Sequence, residues 1–140
     1  MKTQLLKLAF ASALLLAGLP PCLAQSQNTA AIAGNWRGTV RADARNTVVQ
    51  LRVGANELGD AGTTLKFGTP YVCQDTLDFL GHDADVWTFS VYKGNGPFCD
   101  KLRNGEAVME KRPDGKLKMS VRDPNGTKIL VEGELTRDAR

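Results

Sequence analysis

Val86-Trp87-Thr88-Phe89-Ser90-Val91-Tyr92 alternates without a break, with Trp87, Phe89 and Val91 on one side of the run. Successive side chains of an extended chain point to opposite faces, so a period of two marks a strand with one buried face. The period continues upstream. Asn35 to Val40 places Trp36, Gly38 and Val40 together, Thr47 to Val53 places Val49, Leu51 and Val53 together, Thr63 to Phe67 offers Leu65 and Phe67, and Cys73 to Leu80 offers Cys73, Leu77 and Phe79. It continues downstream in Glu106 to Lys111 (Ala107, Met109), Lys116 to Arg122 (Leu117, Met119, Val121) and Thr127 to Leu135 (Ile129, Val131, Leu135).

Turn chemistry separates the runs. Gly54-Ala55-Asn56, Gly94-Asn95-Gly96-Pro97, Asn104-Gly105, Pro113-Asp114-Gly115 and Asp123-Pro124-Asn125-Gly126 supply the positive or preset φ that tight connections need. No window sustains a 3.6 period beyond about two turns, although Asp43 to Gln50 and Asp100 to Gly105 have room for one helical turn. An open sheet of this many strands would expose an apolar face and two edges. The expected fold is therefore all-β: a single antiparallel, mostly up-and-down barrel of about eight strands with one disulfide.

Eight-stranded barrels are either just filled by their side chains or hold one small ligand. The inward set here includes Trp36, Trp87, Phe67, Phe79, Phe89, Met109 and Met119, with Thr63 and Asp75 as its polar members. Filling is favoured over a ligand cavity.

Residues 1–24 carry Lys2 and Lys7, an apolar stretch from Leu8 to Leu19, then Pro20-Pro21 and Ala24, which is the layout of a secretory signal peptide cleaved after Ala24. The stretch is too short for a membrane span. Lipid attachment at Cys22 is the alternative, disfavoured because Pro21 occupies a place where that processing needs a small residue. Residues 25–33 read as a flexible leader and residues 34–137 as the barrel domain. Cleavage leaves Cys73 and Cys99 in an oxidising compartment, periplasmic or secreted, where an even count predicts a structural disulfide. The formal charge of the 140 residues is +3, and without Lys2 and Lys7 it is +1. Nucleic acid is thereby disfavoured as a partner, and a monomer without a membrane span is expected.

Gly34-Asn35-Trp36 at the first strand and Leu135-Thr136-Arg137 at the last resemble the Gly-x-Trp opening and final-strand arginine of calycins, the superfamily of lipocalins and avidins. The resemblance covers residues 34–137. It implies an eight-stranded barrel in which Arg137 packs on Trp36 as a plug at the closed end, and an interior that carries a small apolar ligand. The 116 residues left after cleavage make a short chain for a lipocalin. Pro70-Tyr71-x-Cys73 and Phe98-Cys99 around an aromatic strand also resemble small exported bacterial β-domains. Periplasmic lysozyme inhibitors have a comparable disulfide-stapled barrel, but their inhibitory loop motif is not found here.

Asp75, Asp78, His82, Asp83 and Asp85 form the densest chemistry-bearing group. A histidine among carboxylates can ligate a divalent ion or exchange protons. Gly81 to Asp85 nonetheless has turn composition between two strands, so a solvated hairpin tip is the preferred reading, with no metal, cofactor or catalytic residue assigned. With one histidine in the chain and no motif of nucleophile, phosphate or dinucleotide chemistry, an enzyme is not expected. Charge is uneven, with net +3 over residues 25–56, −5 over 57–100 and +3 over 101–140. The acidic stretch suits a cationic partner such as a secreted hydrolase. The glycine-rich loop from Lys93 to Asn104, pinned at Cys99, offers Phe98 either as an exposed recognition aromatic or as a cap on the barrel end. The expected function is non-catalytic binding or inhibition of a secreted or envelope protein. The partner-contacting candidates are Asp75, Asp78, His82, Asp83, Asp85 and Phe98, and the alternative is a calycin-type carrier.

Overall fold

A computed structural model describes residues 27–139 together with Gly18. The signal peptide expected at 1–24, with its cleavage point and Cys22, lies outside the described residues apart from Gly18, and so do Gln25 and Ser26 of the leader. Eight strands close into one antiparallel barrel in sequence order: β1 Gly34–Ala42, β2 Arg45–Val53, β3 Thr63–Phe67, β4 Cys73–Asp83, β5 Val86–Asn95, β6 Glu106–Lys111, β7 Leu117–Arg122 and β8 Ile129–Arg137. One short helix, α1 Pro97–Leu102, lies between β5 and β6. No helix among the described residues is long and apolar enough to cross a membrane.

Alternation sets the core. Trp36, Val49, Leu51, Leu65, Phe67, Leu77, Phe79, Trp87, Phe89, Met109, Met119 and Leu135 all face inward and are buried. At about 25 cal/mol per Å² of apolar surface, such large side chains dominate the stabilisation of a chain this short. Closure pairs β1 with β8, from Trp36 opposite Arg137 to Ala42 opposite Val131, and leaves no edge strand among the described residues.

Several local expectations are corrected. Ile129 is 44% exposed, because a bulge between Val121 and Arg122 inverts the facing of residues at the start of β8. Strands β4 and β5 run longer than their sequence patterns, since pairing continues past irregularities at Thr76/Leu77 and Phe79/Gly81; Leu80 and Tyr92 face outward as alternation requires. Asp43 to Gln50 forms no helical turn: Asp43 and Ala44 both take positive φ as a two-residue hairpin link, and β2 begins at once.

The leader segment from Gln27 to Ala33 is fastened. Ile32 and Thr29 are fully buried, Ala30–Ile32 forms a 3-10 turn, and Asn56 N donates to Thr29 Oγ1 at 2.8 Å. Its small polar residues serve as hydrogen-bonding groups under the barrel end, which composition alone does not show.

Candidate functional site

Strand direction divides the chemistry between two ends. β1 rises from a lower end at Gly34 to an upper end at Ala42, and β4 descends from Cys73 at the upper end to Asp83 at the lower. At the lower end the Arg137 guanidinium carbon lies 4.4 Å from the centroid of the Trp36 ring, and its Nη1 donates to Ala33 O at 2.6 Å. Gly34 is needed there twice over: its φ is +130, and a Cβ would sit 2.7 Å from Arg137 Nη1. Trp36 Nε1 donates to Ile32 O at 2.9 Å and Trp87 Nε1 to Asn28 O at 3.2 Å, so both indoles find acceptors in the leader.

The sequence cluster around His82 is dispersed. Asp75 is fully buried near the upper end, Asp78 is half-buried on the outer face of β4, and Asp83 and Asp85 are exposed at the lower turn. Eight strand residues at about 3.3 Å each put about 26 Å between Asp75 and Asp83. His82 stacks on Trp87 with centroids 4.5 Å apart, its Nε2 bonds Ala84 O, and Gln27 bonds both its backbone groups. Among the described residues no group of three or more histidine, cysteine, aspartate or glutamate side chains is placed to hold a metal ion. Asp75 is thus no part of a surface acidic patch.

The upper end brings together what the sequence kept apart. Cys73 and Cys99 form the expected disulfide, with Cα atoms 6.1 Å apart, and tie α1 down across the barrel mouth. Phe98, Cys99 and Leu102 turn inward from α1. Phe98 is only 6% exposed, so it is not a free recognition aromatic; it stacks on Tyr71 at 3.9 Å between centroids and meets the edge of Phe67 at 5.2 Å. Tyr71, in the sequence no more than part of the Pro70-Tyr71-x-Cys73 motif, ties this stack to β1 through its hydroxyl, which donates to Ala42 O at 2.6 Å. Beneath this lid Asp75 faces inward between Leu65 of β3 and Gly94 of β5. Neither of its carboxyl oxygens has a hydrogen-bond partner among the described residues. A Cβ at position 94 would overlap Asp75 Oδ1, so glycine makes room for the carboxyl. Burial is the largest influence on its acidity and, with Asp100 adding, pushes Asp75 up from 3.8 to about 7, against a smaller opposing pull from Arg103.

The outer face carries its own relief. A cleft of about 500 Å³ crosses β4 to β7, bordered by Leu80, Ser90, Val108, Ser120 and Arg122 and by the 123–126 turn. Leu80 is 54% exposed there.

The molecule is a disulfide-stapled, closed eight-stranded antiparallel barrel. No protein-family model matches the chain, and comparison with curated proteins and with solved structures gave no match.

Proposed function

We propose that this is an exported, non-catalytic binding protein of calycin-like plan that recognises a secreted or envelope protein with the outside of its barrel. The observation that carries this reading is the filling of the interior. Trp36, Trp87, Phe67, Phe79 and Phe89 are all buried in it, and both ends are covered, one by the leader and one by α1. Eight strands leave little beyond the volume these side chains occupy, so recognition falls to the surface. The outer cleft suits a protein partner: Leu80 supplies an apolar anchor, and Glu106, Arg122, Asp123 and Asn104 supply a polar rim of both signs. Export is supported by the disulfide, and the calycin-like plan by the Arg137 contact on Trp36.

A photo-reactive side chain placed at position 80 should cross-link one envelope or secreted protein in exporting cells, and Arg122→Glu should abolish the product while the barrel stays folded. Cross-linking that survives Arg122→Glu unchanged would count against the cleft. Stoichiometric binding of an apolar fluorescent probe with quenching of the two tryptophans would establish the carrier instead.

A further inference from the structure

The buried carboxyl at the upper end has no role in the surface reading above, and its setting is specific. Asp75 sits under a helix covalently tethered at one point, Cys99, and flanked by two positive-φ residues, Gly96 (φ +93) and Asn104 (φ +63). Lid and barrel are joined by a few backbone bonds: Asn104 N to Val91 O at 2.8 Å, Val91 N to Gly105 O at 3.0 Å, and within the lid Asp100 N to Gly96 O at 2.9 Å. A six-residue helix has little stability of its own, so its position depends on what it covers.

We propose that Asp75 and α1 form a proton-operated latch: the lid is seated while the carboxyl beneath it is neutral and loosens when that carboxyl loses its proton.

The charged groups that bear on Asp75 come from the α1 segment. Asp100 opposes its ionisation and Arg103 favours it, and these two pair with each other at 3.3 Å. Lys101 is turned away to Asp43 at 3.5 Å. The residues opposite Asp75 on the flanking strands, Leu65 and Gly94, carry no titratable group. A buried ionised carboxylate without donors is far costlier than a neutral one. Opening the lid lets water reach the carboxyl and returns it to the ordinary carboxylate range. The seated form therefore holds its proton to higher pH than the open form, and opening grows as pH rises through the interval between the two values. It grows by at most about tenfold per pH unit and levels off above about 7.

The test is amide hydrogen exchange of the oxidised mature protein from pH 5 to 8, read as protection factors so that intrinsic exchange chemistry cancels. Protection at Val91, Asp100, Asn104 and Gly105 should fall by at least about tenfold between pH 5 and 7 and then level off, while Asp138, whose amide bonds Asn35 O at 2.9 Å at the lower end, should not follow. In Asp75→Asn the fall should vanish. Protection that is flat in the wild type, that changes equally at both ends, or that keeps its slope in Asp75→Asn would overturn the latch. Should Asp75→Asn fail to fold, two exposed substitutions decide. Asp100→Asn should move the levelling point to lower pH and Arg103→Ala to higher pH, and a levelling point unmoved by both would overturn the proposal.

Discussion

The two ends of the barrel are closed by different chemistry. At the lower end the large polar groups are mostly partnered: the indoles of Trp36 and Trp87 donate to Ile32 and Asn28, Arg137 donates to Ala33, and Thr29 serves Gly54 and Asn56, with His82 Nδ1, stacked against Trp87, the buried atom left without a partner among the described residues. At the upper end the closure is apolar and covalent, an aromatic stack and a disulfide, and it traps one carboxyl with no donor. A satisfied buried polar network fixes one arrangement, whereas an unsatisfied group marks where a structure holds back free energy. Among the described residues only the upper end traps a group that can carry a buried charge without donors, so under the proposed latch the lower end is the floor and the upper end the conditional lid.

Substitutions break this comparison in order of size. Trp36→Ala should remove the floor at about 4 kcal/mol, measured by chemical denaturation, because a fully buried indole and its hydrogen bond are lost together. Replacing both Cys73 and Cys99 by serine should cost about 3.5 kcal/mol for a 26-residue closed segment, and the loss should be confined to the upper end in early hydrogen exchange. Phe98→Ala should cost about 3 kcal/mol, since Phe98 is buried against Tyr71 and Phe67. A melting temperature unchanged by Phe98→Ala would contradict its role as a cap. Arg137→Ala should cost only about 1 kcal/mol, the worth of an exposed cation over an aromatic face with one backbone acceptor.

Proton linkage separates the ends further. Because folding raises Asp75 to about 7 from 3.8, the folded chain binds a proton that the unfolded chain releases. This group's penalty is absent below about pH 4, grows as pH rises between the two values, and is complete above 7. Thermal denaturation should show a melting temperature that falls from pH 5 to 7.5 in the wild type and a smaller fall in Asp75→Asn.

Most of the barrel was legible because alternation is a local property of the chain. Trp87, Phe89 and Val91 fall inward in the sequence and in the structure alike. The misplacements cluster where register changes: Ile129 beside the β7–β8 bulge, and the extra length of β4 and β5 across their irregularities. A bulge adds one residue without a sequence signature, so it inverts a pattern that is otherwise reliable. Pro97 at the start of α1 is a helix-start residue, yet the surrounding Gly94, Gly96 and Asn95 read as loop.

The candidate site was less legible. Cys73 and Cys99 were pairable by counting, and the inward facing of Asp75 followed from its parity with Cys73 and Leu77. That Asp75 stands apart from Asp83 and Asp85 depends on the length of β4, and its isolation depends on which strands flank it. Burial of Phe98 depends on Tyr71, a loop residue whose partner lies 27 positions away.

The most direct measurement is a carbon-13 titration of the Asp75 side-chain carboxyl by nuclear magnetic resonance in the intact oxidised protein. The account predicts a midpoint near 7, displaced downward in Asp100→Asn. A midpoint near 3.8 would show that the upper end traps no reluctant charge and would contradict the division between floor and lid.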